Sequence, residues 1–290
     1  MSVDRLVMCG CHQAGASLIP ALIEAGFKFQ SFVLLTPEQG LRHKVSGYAD
    51  FRPIAEKYQI PYYVPRTYSL SDPEDVAYFA QNKFRLLIQG GWQRLFPTPV
   101  LDQLETGAVG VHGSPDFLPK GRGRSPMNWS LIKGHSRFLM QLFLMRAGVD
   151  DGDVFDVEDF DINPFDDIET LYFKNTIVVR RMMLRSVPKL LRGELRPWKQ
   201  SGKPSYFQKR TSDDGRIDWE EMDVFEIYDF VRAQTRPYPG AFGVVDGKLL
   251  RFWRVRPFDT RITYPQCDYG SVVERFGTGL SSIALAVCCL

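Results

Sequence analysis

Short apolar runs alternate with helix-forming segments through the first 112 residues, and that alternation commits the chain to a sheet covered by helices. Arg5-Leu-Val-Met-Cys9 reads as a buried strand, followed by a loop over 10–16 and a helix over 17–26 closed by glycine. A second strand is expected at 29–35, a helix near 53–58, and a further apolar run at 62–64. Ser71-Asp-Pro-Glu-Asp75 supplies an N-cap and early acids for the next helix. A strand at 84–88, a short helix at 99–104 and a strand at 108–111 follow, the last delivering His112 to its end. This is the pattern of a Rossmann-like α/β fold with a mostly parallel sheet, whose ligands bind outside the carboxyl ends of the strands. His112 and the loops at 10–16 and 90–94 therefore fall where a site belongs.

Beyond His112 the rhythm changes. Residues 167–191 form a long helical stretch that Gly193 ends. Residues 196–210, with Pro, Gly, Ser and several Lys and Arg, read as a linker. Asp213-Asp-Gly-Arg-Ile-Asp-Trp219 reads as a turn with an anchoring tryptophan, and 224–232 as a helix. Residues 240–253 read as a hairpin turning at Asp246-Gly247, with further strands around 269–274 and 280–290. The expected domains are a catalytic domain at 1–195, a linker at 196–210, and a small β-rich, OB-like barrel domain at 211–290. That barrel is expected to be incomplete, because the sequence stops on Cys-Cys-Leu without a closing strand.

With 36 basic and 34 acidic residues, the net charge of +2 is too balanced for nucleic acid or membrane to be the main partner. No apolar stretch approaches the roughly 20 residues of a membrane span, and the charges at Asp4 and Arg5 before a short apolar run lead to the expectation of no signal peptide. Cys9, Cys11, Cys267, Cys288 and Cys289 are an odd set without metal-ligand spacing near the histidines. Reduced thiols, no metal, and a soluble cytoplasmic protein are the expectation.

The chemistry concentrates in Gly110-Val-His-Gly-Ser-Pro-Asp-Phe-Leu-Pro-Lys-Gly-Arg-Gly-Arg-Ser-Pro-Met-Asn-Trp129, followed by Gly148-Val-Asp-Asp-Gly-Asp153. A lone strand-end histidine is as a rule structural. A stiff Pro/Gly/Arg loop behind it and a carboxylate in a Gly-bounded turn point instead to a general acid/base pair, His112 with Asp150. Imidazole titrates near neutrality, and an adjacent carboxylate favours its charged form.

These residues resemble the formyltetrahydrofolate-dependent formyltransferases, whose hallmark reads Asn-x-His-x-Ser-Leu-Leu-Pro…Arg-Gly, then Asp-x-Gly. The resemblance covers nearly the whole chain. Leu87-Ile-Gln-Gly-Gly-Trp-Gln-Arg-Leu-Phe-Pro is similar to the strand and loop of the folate pocket. Asp214-Gly-Arg-Ile-Asp-Trp219 and Val231-Arg-Ala…Pro237-Tyr-Pro-Gly-Ala-Phe242 match the family's second-domain signature. The resemblance implies N10-formyltetrahydrofolate as donor, with His112 relaying the proton and Asp150 holding and tuning it. It also implies a folate site lined by the backbone of Arg94, Leu95 and Phe96, the side chain of Arg124, and the segment Arg146, Ala147, Gly148, Val149 and Asp150. Asn128 is expected at the acceptor substrate. The loop with His12 and Gln13 either contacts that substrate or forms a plain strand-to-helix turn.

One position departs from the hallmark. Gly110 stands where the family has its asparagine, a donor to the developing oxyanion of a kind worth on the order of 3 kcal/mol at other acyl-transfer sites. Gln89, Asn128, or a backbone N–H freed by glycine's conformational range are the candidate replacements. Within the family, sugar N-formyltransferases show Arg-Gly-Arg-x-Pro-x-Asn-Trp, which stands here at 122–129. The chain also resembles the module acting on UDP-4-amino-4-deoxy-arabinose, which implies lipopolysaccharide biosynthesis. Methionyl-tRNA formyltransferases need many phosphate contacts, which a charge of +2 does not favour. The expected reaction is therefore formyl transfer to the amine of a nucleotide-linked amino sugar. The alternatives are a methionyl-tRNA formyltransferase, or a folate- or nucleotide-sugar-binding homologue impaired by Gly110. A homodimer is left open.

Overall fold

Leu6, Val7, Met8 and Cys9 are all fully buried, so both faces of the first strand are covered, as a central strand of a parallel sheet requires. The computed structural model describes residues 3–245, 247–258, 261–262, 268–276 and 284–287. It begins with β1 (Val3–Gly10), α1 (Gln13–Glu24), β2 (Phe27–Leu34), α2 (Pro37–Arg42), α3 (Arg52–Lys57) and β3 (Tyr62–Tyr63). Next come α4 (Pro73–Asn82), β4 (Leu86–Gly90), α5 (Thr98–Leu101), β5 (Gly107–Ser114), β6 (Arg122–Gly123) and α6 (Pro126–Ile132). β7 (Arg137–Met145), β8 (Gly152–Asp161), α7 (Ile168–Leu191) and β9 (Tyr206–Phe207) follow. The chain continues through α8 (Val224–Arg232), β10 (Ala241–Val245), β11 (Lys248–Phe252), β12 (Val272–Phe276) and β13 (Ala284–Val287).

The main sheet has seven strands in the order β3-β2-β1-β4-β5-β7-β8. The pairs β2–β3, β1–β2, β1–β4 and β4–β5 are parallel, whereas β5 and β7 run antiparallel. This is the Rossmann-like, mostly parallel sheet expected from the sequence. β10–β11 and β12–β13 are antiparallel pairs, giving the C-terminal region its β-rich character. Asp246, expected at the first hairpin's turn, lies outside the described residues, as do Cys267, Cys288 and Cys289. Cys9 and Cys11 are free, and burial pushes both thiols up.

Local signals place the helices. Asp72 caps α4 by accepting from the Glu74 N–H, with Pro73 at the first helical position. Asp223 and Glu226 close a reciprocal capping box on α8. Asp75, fully buried, accepts from Tyr63 Oη (2.8 Å), Arg66 N (2.8 Å), Thr67 N (3.0 Å) and Thr67 Oγ1 (3.0 Å). It fastens the chain between β3 and α4.

Two differences from the sequence reading matter. β5 extends past His112 to Ser114, because β7 pairs with it as far as Ser114–Leu139. β7 and β8 have no counterpart in the sequence reading, which places only a Gly-bounded turn at 148–153, since an antiparallel partner at this position breaks the βα alternation. The chain also divides into two compact units that interleave in sequence. One comprises 1–122, 139–160 and 174–206, and the other 123–138, 161–173 and 207–290. The expected domains, by contrast, cut the chain at single points.

Gly110 shows why register matters. It lies opposite Phe143, and a Cβ at 110 would sit 2.6 Å from Phe143 Cζ and 2.8 Å from Met145 Cγ. Phe143 is itself buried in a cluster with Leu118 and Val154. Gly110→Asn should therefore lower unfolding free energy by about 1–3 kcal/mol in urea denaturation. Adding Phe143→Ala should cost less than the two single changes summed, because the ring that blocks the side chain is gone. Asp75→Ala, which strands four donors, should cost on the order of 3 kcal/mol in the same assay.

Candidate active site

Because side chains alternate along a strand, Gly110, His112 and Ser114 share one face of β5 with their cross-strand partners Phe143, Gln141 and Leu139. His112 is 7% exposed on that face. Its Nε2 lies 2.8 Å from the carbonyl oxygen of Gly121. A carbonyl only accepts, so Nε2 carries a proton. Its Nδ1 lies 3.4 Å from Asp150 Oδ1.

The two partners reach the ring from opposite ends of the strand. Gly121 belongs to the loop after the carboxyl end of β5. Asp150 belongs to the turn between β7 and β8, and Val109 pairs with Leu144, so that turn lies toward the amino end of β5. His112 thus sits two residues short of the carboxyl end of β5, one position beyond the register at which the parallel neighbour β4 ends.

Both arms are held. Ser114 Oγ donates to the Lys120 carbonyl at 2.9 Å and accepts from the Asp116 N–H at 3.3 Å. Gln141 Oε1 accepts from the Leu118 N–H at 3.0 Å, and its Nε2 donates to the Asp116 carbonyl at 3.3 Å. These bonds stitch the loop that carries Gly121 onto β5 and β7. On the other arm, Asp150 has φ +45°, a left-handed conformation that costs a non-glycine residue on the order of 1 kcal/mol. Gly152 closes that turn at φ +140°, and any Cβ there would lie 1.8 Å from the Leu144 carbonyl oxygen.

The remaining expected site residues fall in several places. Phe96 is buried in the core beside Trp92, while Leu95 is 49% exposed. Arg94 is exposed, with its guanidinium over the Tyr68 ring at 4.7 Å. Arg146 pairs with Asp153 at 3.0 Å, and Ala147, Gly148 and Val149 are exposed. His12 accepts from the Ala14 N–H through Nδ1 and caps α1, and burial pushes its pKa down. Gln13 is exposed at the first position of that helix. Arg124 and Asn128 belong to the second unit. There Arg124 is exposed, while Asn128, 3% exposed, donates to the Ala233 carbonyl at 2.7 Å. The structure thus brings His112 and Asp150 together, and leaves the rest as surfaces around or apart from them.

Nothing amide-bearing takes the place of a side chain at 110, because Phe143 and Met145 fill that volume. Gln89 donates to the Trp92 carbonyl at 2.9 Å. Gly110 keeps an ordinary strand conformation, outside the left-handed region. Sequence reasoning missed the Gly121 carbonyl and Phe143. A backbone acceptor has no side-chain signature, and the Gly110–Phe143 pair exists only once the antiparallel register is known. Among the described residues, no group of three or more His, Cys, Asp and Glu gathers as a metal site, and no helix is long and apolar enough to cross a membrane.

Among solved structures, HypX from Aquifex aeolicus in complex with tetrahydrofolic acid is similar over 93% of this chain, at 19% identity and a TM-score of 0.62. This chain spans only 40% of HypX. A 4-N formyltransferase from Francisella tularensis is similar at 15% identity and a TM-score of 0.68, over 87% of this chain and 98% of its own. Methionyl-tRNA formyltransferase from Clostridium thermocellum is similar at 18% identity and a TM-score of 0.59, over 98% of both chains. At these identities the likeness is one of fold. The sequence patterns go further: that of formyl transferase matches residues 31–187, and that of the formyl transferase C-terminal domain matches residues 209–284. The first alone spans more than half of the 290 residues, and with the His112–Asp150 pair in place the chain belongs to the formyl transferase family.

Proposed function

We propose that the chain transfers a formyl group from N10-formyltetrahydrofolate to the amine of a nucleotide-linked amino sugar. The observation that carries this reading is the His112 ring, held at Nε2 by Gly121 and faced at Nδ1 by Asp150. With Nε2–H committed, Nδ1 is the ring position at which a proton can be taken up. Asp150 stands beside it to stabilise the imidazolium, so the pair can draw a proton from an attacking amine. Asp150, at 21% exposure against 7% for the ring, is the partner more open to solvent.

The donor supplies an acyl carbon with a nitrogen leaving group. By the resemblance, the backbone of Arg94, Leu95 and Phe96 and the segment 146–150 would hold it, and Leu95 (49%) and Val149 (42%) are exposed apolar side chains within those two segments. The tetrahydrofolic acid bound to HypX supports a folate as donor. The acceptor reading rests on the Arg122-Gly-Arg-Ser-Pro-Met-Asn-Trp129 form and on the similarity to the Francisella 4-N formyltransferase. The Clostridium thermocellum likeness keeps initiator tRNA as the second reading. By the resemblance to the UDP-4-amino-4-deoxy-arabinose module, the product would enter lipopolysaccharide biosynthesis in the cytoplasm.

Tetrahydrofolate release, followed with N10-formyltetrahydrofolate and a panel of nucleotide-linked amino sugars, should show turnover with one sugar. His112→Ala should lower kcat by about 10²–10⁴-fold, and Asp150→Asn should lower it to a smaller degree. Folate binding without turnover on any sugar or on initiator tRNA would overturn the transferase reading in favour of a binding protein.

A further inference from the structure

Residues 198–205 of the segment read as a linker lie in the first unit, in contact with both arms of the histidine. Trp198 and Val154 exchange backbone hydrogen bonds, at 2.9 Å from Val154 N and 2.8 Å from Trp198 N, which anchors the segment beside the start of β8. Two residues on, Gln200 Nε2 donates to the carbonyls of Asp150 (2.9 Å) and Gly152 (3.0 Å). Its Oε1 accepts from Arg122 Nη2 (2.6 Å) and Nε (3.2 Å). Arg122 Nη2 also lies 3.4 Å from Asp151 Oδ1. Both amide protons and the amide oxygen of Gln200 are thereby used.

Ser205 grips the opposite arm. Its Oγ accepts from the Gly121 N–H at 2.9 Å, its carbonyl accepts from the Arg122 N–H at 3.0 Å, and its own N–H donates to the Pro119 carbonyl at 3.3 Å. One short segment thus fixes the residue whose carbonyl holds His112 Nε2, and also the turn whose carboxylate faces His112 Nδ1. The Gln200 bonds fall on the two carbonyls that bracket the 150–152 turn, and Asp150 in that turn has a backbone conformation that side chains rarely adopt.

We propose that Gln200 is a positioning residue for formyl transfer: it holds the 150–152 turn so that the Asp150 carboxylate faces His112, and with Ser205 it makes residues 198–205 a clasp on both ring nitrogens. The proposal rests on the reading in which His112 and Asp150 move the proton. Gln200 acts through that pair and need not touch either substrate.

The test compares Gln200→Ala, Gln200→Glu and Ser205→Ala with the unaltered protein. The readouts are the ring ¹⁵N resonances of His112, Tm, and kcat and KM for the formyl donor. Gln200→Glu keeps an acceptor for Arg122 but sets a carboxylate oxygen against two carbonyls. Both Gln200 variants should move the Nδ1 resonance toward that of a free imidazole while Tm stays well above the assay temperature, and Ser205→Ala should move Nε2 instead. In the Gln200 variants kcat should fall about 10–100-fold while KM stays within about threefold. A His112 spectrum unchanged in both Gln200 variants overturns the proposal, and so does a wild-type spectrum and kcat in Gln200→Glu. If the wild-type chain turns over no acceptor, the functional reading fails, and the resonances alone still decide whether the clasp exists.

Discussion

The carbonyl oxygen of Gly121 can only accept, and at 2.8 Å it holds a proton on His112 Nε2. The ring is then left with Nδ1 as its variable site, and that site needs a carboxylate at a fixed place. The surrounding structure follows from this requirement. Ser114 and Gln141 hold the loop bearing Gly121. On the other arm, Gly152 provides the close turn after Asp150, where no other residue would clear the Leu144 carbonyl. A histidine held only at Nε2 would keep its tautomer but would have no carboxylate at Nδ1 to stabilise the imidazolium.

The Gly110–Phe143 pair exchanges a dipole for packing. On the face shared with His112, a buried aromatic ring covers the glycine, and with Leu118 and Val154 it makes that side of the sheet apolar. Such surroundings weaken dielectric screening, so the charge interaction between Asp150 and a protonated His112 is stronger than at a wet surface. The same ring removes any amide from that position. Under the proposed reaction, stabilisation of developing charge has to come from groups other than a side chain at 110.

Much of the fold could be read from the sequence because the first half of the chain is locally consistent. Asp72-Pro73 opens a helix by capping chemistry that needs no tertiary context, and the apolar run at 6–9 is buried on both faces as such runs in parallel sheets are, although Arg5, read as the start of that buried strand, is exposed. The pairing of His112 with Asp150 was readable because the two side chains carry their chemistry in their names. What escaped depends on long-range register. β7 runs against β5, which extends β5 to Ser114 and places Phe143 opposite Gly110, and neither consequence has a local signature. The segment at 196–210 looked like a solvated linker by composition, yet Trp198, Gln200 and Ser205 each have long-range partners. Polar residues in a basic, Pro/Gly-containing stretch give no sign of which distant carbonyls they will meet.

The interleaving of the two units bears on how the protein is made. The first unit ends at residue 206, and its last stretch begins at 174, after segments that belong to the other unit. During synthesis from the N-terminus, the sheet strands β1, β2, β4 and β5 can assemble early, since their contacts lie within the first 114 residues. Gln200 and Ser205 leave the ribosome long afterwards, so the surroundings of His112 are completed late. For a nascent chain, the sheet is an early event and the arrangement of the histidine one of the last, which makes the interval between them a period of folded scaffold without a finished site.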